Sequence, residues 1–264
     1  MNQSPTRKSY YTASGLDEIA SGSLRSAEVV VPIVHEIFQP TSVLDVGCGL
    51  GFWLRVWQKA GVEDIYGLDG GEVTWDKLVI PVEKFQLINL GSLFDLGRRF
   101  SVVQSLEVAE HLPENSAVDF VQSLTRHGDV VLFSAAIPGQ GGYHHLNEQW
   151  PSYWAAIFKN CHFLAADIIR PRIWNDRNVR VWYRQNALVF IHESRAAQFE
   201  SHPSSIWPTF QAFNLVHPDL FRSKIDNPEN WASPSGFPIR KLASAMWKAV
   251  PRAAKRIARY RTMT

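Results

Sequence analysis

The chain has 264 residues, of which 45% are hydrophobic and 20% are charged, and its formal net charge is +2. This composition is typical of a globular protein, the length predicts one α/β domain with additions to it, and the small net charge argues against nucleic acid as the main partner. Two cysteines, Cys48 and Cys161, are too few for a disulfide framework or a thiolate metal cluster, and favour a reducing compartment. Because the chain begins without an apolar leader and has no apolar run long enough for a bilayer, we expect a cytoplasmic protein.

Apolar residues recur at helical spacing from Leu24, and the predicted helix ends at Phe38, just before Pro40. Beyond it, short apolar strands alternate with helical segments, a pattern that predicts a doubly wound, Rossmann-like α/β sheet. The predicted strands are residues 42–46, 65–68, 85–90, 101–106, 130–134, 161–168 and 189–191. Further helices are predicted at residues 52–60 and 154–158.

Three alternate glycines, Gly47, Gly49 and Gly51, follow the first strand, whose end carries Asp45. Glycine permits positive φ and a close approach of the backbone to a ligand. A dinucleotide-binding loop needs a further glycine at the position of Phe52. The pattern instead resembles motif I of class I methyltransferases that use S-adenosylmethionine (SAM), and the resemblance implies that Asp45 and the three glycines bind SAM. The alternative is a tight strand-to-helix turn without a ligand.

Polar residues follow the next two strands. Asp69 ends the second strand, where its carboxylate can accept hydrogen bonds from both ribose hydroxyls, and Gly70 lets the chain pass the sugar closely. Because the strands of an open α/β sheet bind ligands at their carboxyl ends, Asp69 should face the same crevice as the glycine loop. Asn89 and Leu90 lie where class I methyltransferases hold adenine, which implies contacts with the ring edge and the ring face. The alternatives are a solvated acid at Asp69 and a turn residue at Asn89.

The fourth strand is followed by Glu107, Glu110 and His111. If a helical turn begins at Glu107, the three side chains share one face and suit a divalent cation. The E-x-x-E-H pattern resembles that of small-RNA 2′-O-methyltransferases and ubiquinone-pathway O-methyltransferases, in which these residues and a later histidine hold a metal against the acceptor hydroxyl. Many metal-free class I enzymes also carry a Glu-His pair at this position, and in them the Glu binds SAM or begins the helix. His111 is also a catalytic candidate.

The later histidine has its candidates in the loop after the fifth strand, which contains His144 and His145. In the methyltransferase topology this loop lies over the methyl group to be transferred. We expect His145 to be the general base or the fourth metal ligand and His144 to point to solvent. A structural role for both histidines is the alternative. Trp150, Tyr153 and Trp154 are expected in the core or in the pocket wall.

From Ser26 to about His192 the chain is similar to bacterial Methyltransferase-23-type proteins, often encoded beside glycosyltransferases for surface polysaccharides. The matching pieces are SAEVVVP, SVLDVGCGLGFWL, GLDG, SLEVAEHL, LFSAAIPGQGG, HLNEQWPSYW and WYRQN. The resemblance implies a seven-stranded class I methyltransferase sheet with an antiparallel last strand, SAM as cofactor and methyl transfer to a sugar oxygen. We therefore expect a flexible N-terminus over residues 1–23, a methyltransferase domain over 24–195 and a C-terminal extension over 196–264.

The C-terminal extension ends in a basic helical pattern from Ile239, with an apolar stripe and no acidic residue. Such a helix suits an anionic membrane surface and would give the protein a membrane-peripheral location near a lipid-linked glycan. The alternatives are a helix that caps its own domain or a partner subunit, and contact with RNA. The leading functional hypothesis is O-methylation of a sugar in a glycan or glycosylated small molecule. RNA 2′-O-methylation and SAM binding without turnover are the alternatives.

Overall fold

The computed structural model describes residues 13–71, 75–196 and 213–225. The chain divides into two compact units, residues 1–217 and 218–264. The first unit contains the sheet and the candidate site, and the described part of the second is helix α8 (Pro218–Ile225). Residues 1–12 of the expected flexible N-terminus and the helical pattern predicted from Ile239 lie outside the described residues. Within the described ranges, no helix is both long enough and apolar enough to cross a membrane.

Strands and helices alternate along the first unit. Its strands are β1 (Ser42–Val46), β2 (Asp64–Asp69), β3 (Phe85–Leu87), β4 (Val102–Leu106), β5 (Val130–Ser134), β6 (Phe163–Ala166) and β7 (Leu188–His192). Its described helices are α1 (Ala13–Phe38), α2 (Phe52–Lys59), α3 (Ala117–Arg126), α4 (Pro151–Asn160), α5 (Arg170–Ile173), α6 (Val181–Asn186) and α7 (Glu193–Ala196).

The strands form one seven-stranded sheet in the order β3-β2-β1-β4-β5-β7-β6. Strand β1 pairs in parallel with β2 and β4, whereas β7 runs antiparallel to β5 and β6. The predicted Rossmann-like sheet with an antiparallel last strand is therefore confirmed. The strand order reverses between β1 and β4, and such a switch point forms a crevice at the carboxyl ends of the strands. The candidate residues that follow β1, β2, β4 and β5 consequently lie along one edge of the sheet.

Apolar side chains cover both faces of the sheet. On one face, α1 and α2 supply buried side chains that include Val31 and Trp57. On the other face, α3 and α4 supply Phe120 and Phe158, and Phe158 stacks on Phe190 of β7 with ring centroids 3.8 Å apart. Full burial of one large apolar side chain contributes about 1.5–3 kcal/mol. The two helical layers therefore hold the sheet whose edge carries the site.

Helix α1 begins at Ala13, before the predicted start at Leu24. Its first turns are rich in serine and glycine, so they show no continuous apolar stripe. A tertiary contact anchors the helix at Ser23, whose Oγ accepts from the indole N–H of Trp53 at 2.9 Å. Residues 13–23 are part of helix α1.

Two further differences concern β3 and α3. Strand β3 ends at Leu87, whereas the apolar pattern extends the predicted strand to Leu90. The chain leaves the sheet early because Asn89 forms a turn with the residues that follow it. Helix α3 has no counterpart among the predicted elements, although its buried apolar residues follow helical spacing. These residues are Ala117, Phe120, Val121 and Leu124.

Candidate active site

The three glycines after β1 form the tight link to α2. Gly47, Gly49 and Gly51 have left-handed backbone conformations, with φ values of 84°, 53° and 86°, which glycine adopts without steric cost. The amides of Gly47 and Cys48 donate to the carbonyl oxygen of Leu68 at the end of β2, at 2.7 and 3.0 Å. The loop is therefore tied to the neighbouring strand by backbone hydrogen bonds.

The glycines differ in what surrounds them. A Cβ on Gly47 would lie 2.3 Å from Val108 Cγ2, and a Cβ on Gly51 would lie 2.9 Å from Ile80 Cγ1. Close packing thus requires glycine at these two positions. A Cβ on Gly49 would meet no atom within 4 Å, so the backbone of Gly49 borders open space that a ligand can enter. The contact with Val108 also places the glycine loop beside the segment that follows β4.

Asp69 is the last residue of β2, as predicted, and its carboxylate holds two backbone amides. Its Oδ2 accepts from Gly49 N at 2.8 Å, and its Oδ1 accepts from Gly71 N at 2.7 Å. A carboxylate oxygen has a second acceptor position, so the predicted hydrogen bonds to ribose remain possible in addition to these. A Cβ on Gly70 would lie 3.1 Å from the carbonyl oxygen of Ile88. Glycine at this position therefore lets the chain pass close to the end of β3.

Asn89 forms a turn after β3. Its Oδ1 accepts from Gly91 N at 2.9 Å, and its Nδ2 donates to Ser92 Oγ at 3.0 Å. Such contacts are typical of a turn residue. The side chain of Leu90 is only 5% exposed and packs in the core on the α3 and α4 face. The contacts of Asn89 and Leu90 with adenine remain predictions.

Asp45 in β1 is a buried acid with an unused hydrogen-bonding atom. The residue is 3% exposed, and its Oδ2 has no hydrogen-bond partner among the described residues. Burial raises the pKa of Asp45 to about 7, with the charge of Asp69 adding to the shift and the Gln104 amide opposing it. A buried carboxylate oxygen without a hydrogen-bond partner is costly. A positively charged ligand at this edge would compensate that cost.

Glu107 follows β4 but does not begin a helical turn. Its φ is 56°, which is rare for a residue with a side chain, and the next helical turn is the 3-10 helix Ala109–His111. The predicted helical relation of Glu107 to the later residues is therefore wrong, because its left-handed backbone redirects the chain first. Asn186 Nδ2 donates to Glu107 Oε1 at 3.0 Å, and Gln140 Nε2 donates to Glu107 Oε2 at 2.9 Å. Two carboxamides thus hold this carboxylate.

Glu110 and His111 lie on that short helix. Glu110 is fully buried, and neither carboxyl oxygen has a hydrogen-bond partner among the described residues. Burial, together with the charge of Glu107, raises the pKa of Glu110 well above its ordinary value. Burial and the nearby His145 lower the pKa of His111. His111 is therefore favoured as a neutral imidazole, the form that binds metals.

The loop between β5 and α4 brings His145 to these residues. The backbone N–H of Leu146 donates to the carbonyl oxygen of Glu110 at 2.7 Å, which fixes the loop on the short helix. The ring centroids of His145 and His111 are 5.0 Å apart, with an interplanar angle of 85°. His145 Nδ1 lies 2.8 Å from Glu148 Oε1. The structure therefore brings together three of the sequence-predicted residues, Glu110, His111 and His145.

The other predicted residues of this loop differ in exposure. His144 is exposed, as expected, and its ring contacts Tyr143 at a centroid distance of 4.0 Å. Trp154 is 2% exposed and belongs to the core, and Tyr153 packs on it edge to face at 5.1 Å. Trp150 is 37% exposed at the start of α4. Trp154 is thus a core residue, whereas Trp150 is exposed and Tyr153 is partly buried.

Glu110, His111 and His145 each offer a ligand atom, and these atoms all lie within 4.8 Å of one another. One carboxylate and two imidazoles suit a divalent cation. The unpartnered oxygens of Glu110 also fit a cation. Glu107, predicted as a further ligand, does not belong to this group, and its oxygens accept hydrogen bonds from two carboxamides.

Three polar residues of the site are missing from the sequence predictions: Gln140, Glu148 and Asn186. Asn186 Nδ2 also donates to Gln140 Oε1, at 2.9 Å, so the two carboxamides and Glu107 form a closed set of hydrogen bonds. Asn186 is the last residue of α6, just before β7, and its only signal in the sequence is its place in the family piece WYRQN. Glu148 is easier to find from the sequence, because it is an acidic residue three positions after His145 in a glycine-rich loop.

Comparisons with known proteins agree with this fold. A family model described as a methyltransferase domain, Methyltransferase-23, matches residues 23–182. The chain belongs to this methyltransferase family. A search of curated proteins finds no match.

Among solved structures, the methyltransferase resembles the sugar N-methyltransferase KedS8 from Streptoalloteichus, with 16% identity and a TM-score of 0.54, over 73% of this chain and 97% of KedS8. It also resembles DesVI of Streptomyces venezuelae, with 15% identity and a TM-score of 0.51, over 68% of this chain and 98% of DesVI. At such low identity these likenesses show the fold alone.

SAM is the cofactor of this methyltransferase. The described residues fit SAM in two respects: the open space beside Gly49, and the unpartnered Asp45 Oδ2, which suits a ligand with positive charge. Asp69 lies next to Gly49, because its carboxylate accepts from Gly49 N, and its charge acts on Asp45.

Proposed function

We propose that this methyltransferase transfers the methyl group of SAM to a hydroxyl group of a sugar, in a glycan or a glycosylated small molecule. The observation that carries the proposal is the meeting of His145 with Glu110 and His111 at the edge of a methyltransferase sheet. When bound, SAM supplies an electrophilic methyl group. A hydroxyl group must lose its proton to attack, whereas a neutral amine can attack directly. A positioned imidazole therefore favours an oxygen acceptor.

In this proposal the cofactor and the proton are handled by separate residues. Asp45, Asp69 and the glycine loop would hold SAM, with Asp69 accepting hydrogen bonds from the ribose. His145 removes the proton of the acceptor hydroxyl, and a positioned base of this kind typically gives about 10²- to 10⁴-fold in rate. Glu107 stays fixed by its two carboxamide partners.

Exposed apolar side chains on the loop support a sugar as the acceptor. Tyr143 is 45%, Leu146 63% and Trp150 37% exposed. Aromatic rings give flat apolar surfaces with a polar edge, on which the C–H face of a sugar ring can pack while its hydroxyls reach the base. KedS8 is a sugar N-methyltransferase, so this fold accommodates a sugar acceptor. The resemblance to proteins associated with surface polysaccharides points to the same class.

The test is a transfer assay with methyl-labelled SAM and three matched acceptors: UDP-glucose, UDP-glucosamine and a short RNA duplex. We expect label in a methyl ether on a sugar hydroxyl, identified by mass spectrometry and NMR. Label on the amino group alone would contradict the oxygen assignment. Label on the RNA 2′-hydroxyl would favour RNA methylation. The same assay would be repeated with glycan extracts as acceptors. If the protein binds SAM but releases no S-adenosylhomocysteine (SAH) with any of these acceptors, the result would favour a SAM-binding protein without turnover.

A divalent cation held by Glu110, His111 and His145 is a second proposal. It is supported by the ligand atoms within 4.8 Å and by the unpartnered oxygens of Glu110. A cation lowers the pKa of a bound hydroxyl and would share the task of His145. If it takes part, a chelator abolishes turnover and added Mg²⁺ or Mn²⁺ restores it. Full activity in excess chelator would contradict a role for the cation, and His145 would then act as the base without a metal.

A further inference from the structure

The Glu148 carboxylate is the centre of the loop that carries His145. Its Oε2 accepts from Gly139 N at 2.8 Å, and its Oε1 accepts from Gly141 N at 2.6 Å. Oε1 also lies 2.8 Å from His145 Nδ1. The side chains of Glu148 and His145 are 20% and 11% exposed, so water competes little for these contacts. One carboxylate thus binds the N-terminal part of the loop and the histidine.

These contacts determine which nitrogen of His145 carries the proton. A carboxylate only accepts hydrogen bonds, so Nδ1 must be the donor, and in the neutral ring Nε2 then keeps a free lone pair. The ring lies against Gly142, where a Cβ would be 2.1 Å from Nε2. A side chain at Gly142 would therefore displace the ring from the position in which Glu148 holds it.

The part of the loop that follows His145 is also anchored. Leu146 N and Asn147 N donate to the carbonyl oxygen of Glu110, at 2.7 and 3.0 Å. His145 is the residue before this anchor, and its Nδ1 is fixed by Glu148. The imidazole is thus held at its backbone and at one ring nitrogen. A base that acts on a bound hydroxyl needs this kind of fixed direction.

We propose that Glu148 is the positioning residue of the transfer site, which fixes His145 in the Nδ1–H tautomer and orders the loop through Gly139 and Gly141. The tautomer assignment stands on the hydrogen bonds alone. The effect on turnover rests on the proposed function, in which Nε2 of His145 takes the proton of the acceptor. Residues that support a reacting group in this way typically change activity about 10- to 100-fold when they are replaced.

The first experiment is NMR of the full-length chain with ¹⁵N-labelled histidine, at a fixed pH at which His145 is neutral. The His145→Gln variant assigns the resonances. We expect the Nδ1–H tautomer of His145 in the native protein. We expect its loss in Glu148→Gln, because a carboxamide cannot accept from His145 and from both glycine amides. Glu83→Gln, an exposed acid outside the site, is the control and should keep the native signals. A native Nε2–H tautomer, or an unchanged tautomer in Glu148→Gln, would overturn the proposal.

The second experiment compares turnover with SAM affinity in Glu148→Gln and Glu148→Asp. We expect Glu148→Gln to lower kcat about 10- to 100-fold with an unchanged Kd for SAM. Glu148→Asp keeps the carboxylate and should recover part of the rate and of the Nδ1–H signal. If Glu148→Gln does not fold, as judged by circular dichroism, the test rests on Glu148→Asp alone. This variant must then show a reduced population of the Nδ1–H tautomer and a turnover rate below that of the native protein. A parallel loss of SAM affinity, or full turnover after loss of the tautomer, would overturn the positioning role. Failure of the native protein to methylate a sugar would contradict the proposed function and leave the NMR result standing.

Discussion

The glycine loop after β1 and the loop that carries His145 lie at the same edge of the sheet, but they are held by different kinds of contact. Backbone amides and left-handed glycines shape the first, from Gly47 to Gly51. Side-chain carboxylates and carboxamides shape the second: Glu148, three positions further along the loop, holds His145, and Gln140 and Asn186 hold the neighbouring Glu107. The first region should therefore govern cofactor affinity, and the second should govern the rate of transfer.

The largest expected effect is in the second region. His145→Ala should lower turnover by about 10²-fold or more while the Kd for SAM stays unchanged, because in the proposed function the imidazole takes the proton of the acceptor and does not bind the cofactor. Steady-state kinetics and calorimetry on one preparation separate the two quantities. His144→Asn is the matched control, since His144 is exposed and Asn tolerates its φ of 54°. A fully active His145→Ala enzyme would move the search for the base to His111.

Asp69 tests the first region with the opposite outcome. Asp69→Ala should weaken SAM binding by about 1–3 kcal/mol, because the ribose hydroxyls lose their acceptor. The turnover of saturated enzyme should change much less. Thermal unfolding must be measured in parallel, because the same carboxylate accepts from Gly49 and Gly71. Asp119→Asn, at an exposed acid on α3, is the control. Unchanged affinity for SAM would remove Asp69 from the cofactor site.

Asp45 makes the first region sensitive to pH. Its pKa of about 7 in the folded protein lies above the ordinary 3.8. Between these values the unfolded chain releases the proton that the folded chain keeps. The stability of the cofactor-free protein should therefore fall as pH rises from about 4 to 7, and stay at the lower level above that.

SAM affinity should change in the opposite direction, because a cationic ligand favours ionised Asp45. Calorimetry should show binding about tenfold tighter at pH 8 than at pH 6. Asp45→Asn should abolish this dependence. The same slope in Asp45→Asn as in the native protein would mean that another group titrates.

The smallest expected effect on SAM affinity is that of Gly49→Ala, for which Gly61→Ala is the matched control. Gly49 and Gly61 both have positive φ, and a Cβ on either would meet no atom within 4 Å. Gly49→Ala and Gly61→Ala should each cost about 1–2 kcal/mol of stability, since both force a side chain into left-handed backbone. Only Gly49→Ala should weaken SAM binding, by about fivefold or more, because its methyl group enters the space left for the ligand. Equal affinity in the two variants would place SAM elsewhere.

The two regions also differ in how far the sequence predicts them. Gly47, Gly49, Gly51 and Asp69 are close together along β1 and β2, so local pattern and strand order were enough to place them at one edge. The fixation of Glu107 depends on a partner 79 positions away, Asn186. No local pattern contains such a contact.

The helical turn expected at Glu107 failed for a related reason. Its left-handed φ of 56° goes against the preference of a residue with a side chain, and is held in place by Gln140 and Asn186. The meeting of His145 with Glu110 was suggested by family resemblance. Its geometry depends on the backbone contact of Leu146 with Glu110, which only the fold shows.

The most direct test of the account is whether the two regions meet at the transferred methyl group. Full-length protein would be bound to SAM labelled with ¹³C in its methyl group, and nuclear Overhauser contacts from that methyl would be recorded. The account predicts a contact with the His145 ring that disappears in His145→Ala, together with contacts between the adenosine and the glycine loop. Bound SAM whose methyl contacts neither His145 nor His111 would contradict it.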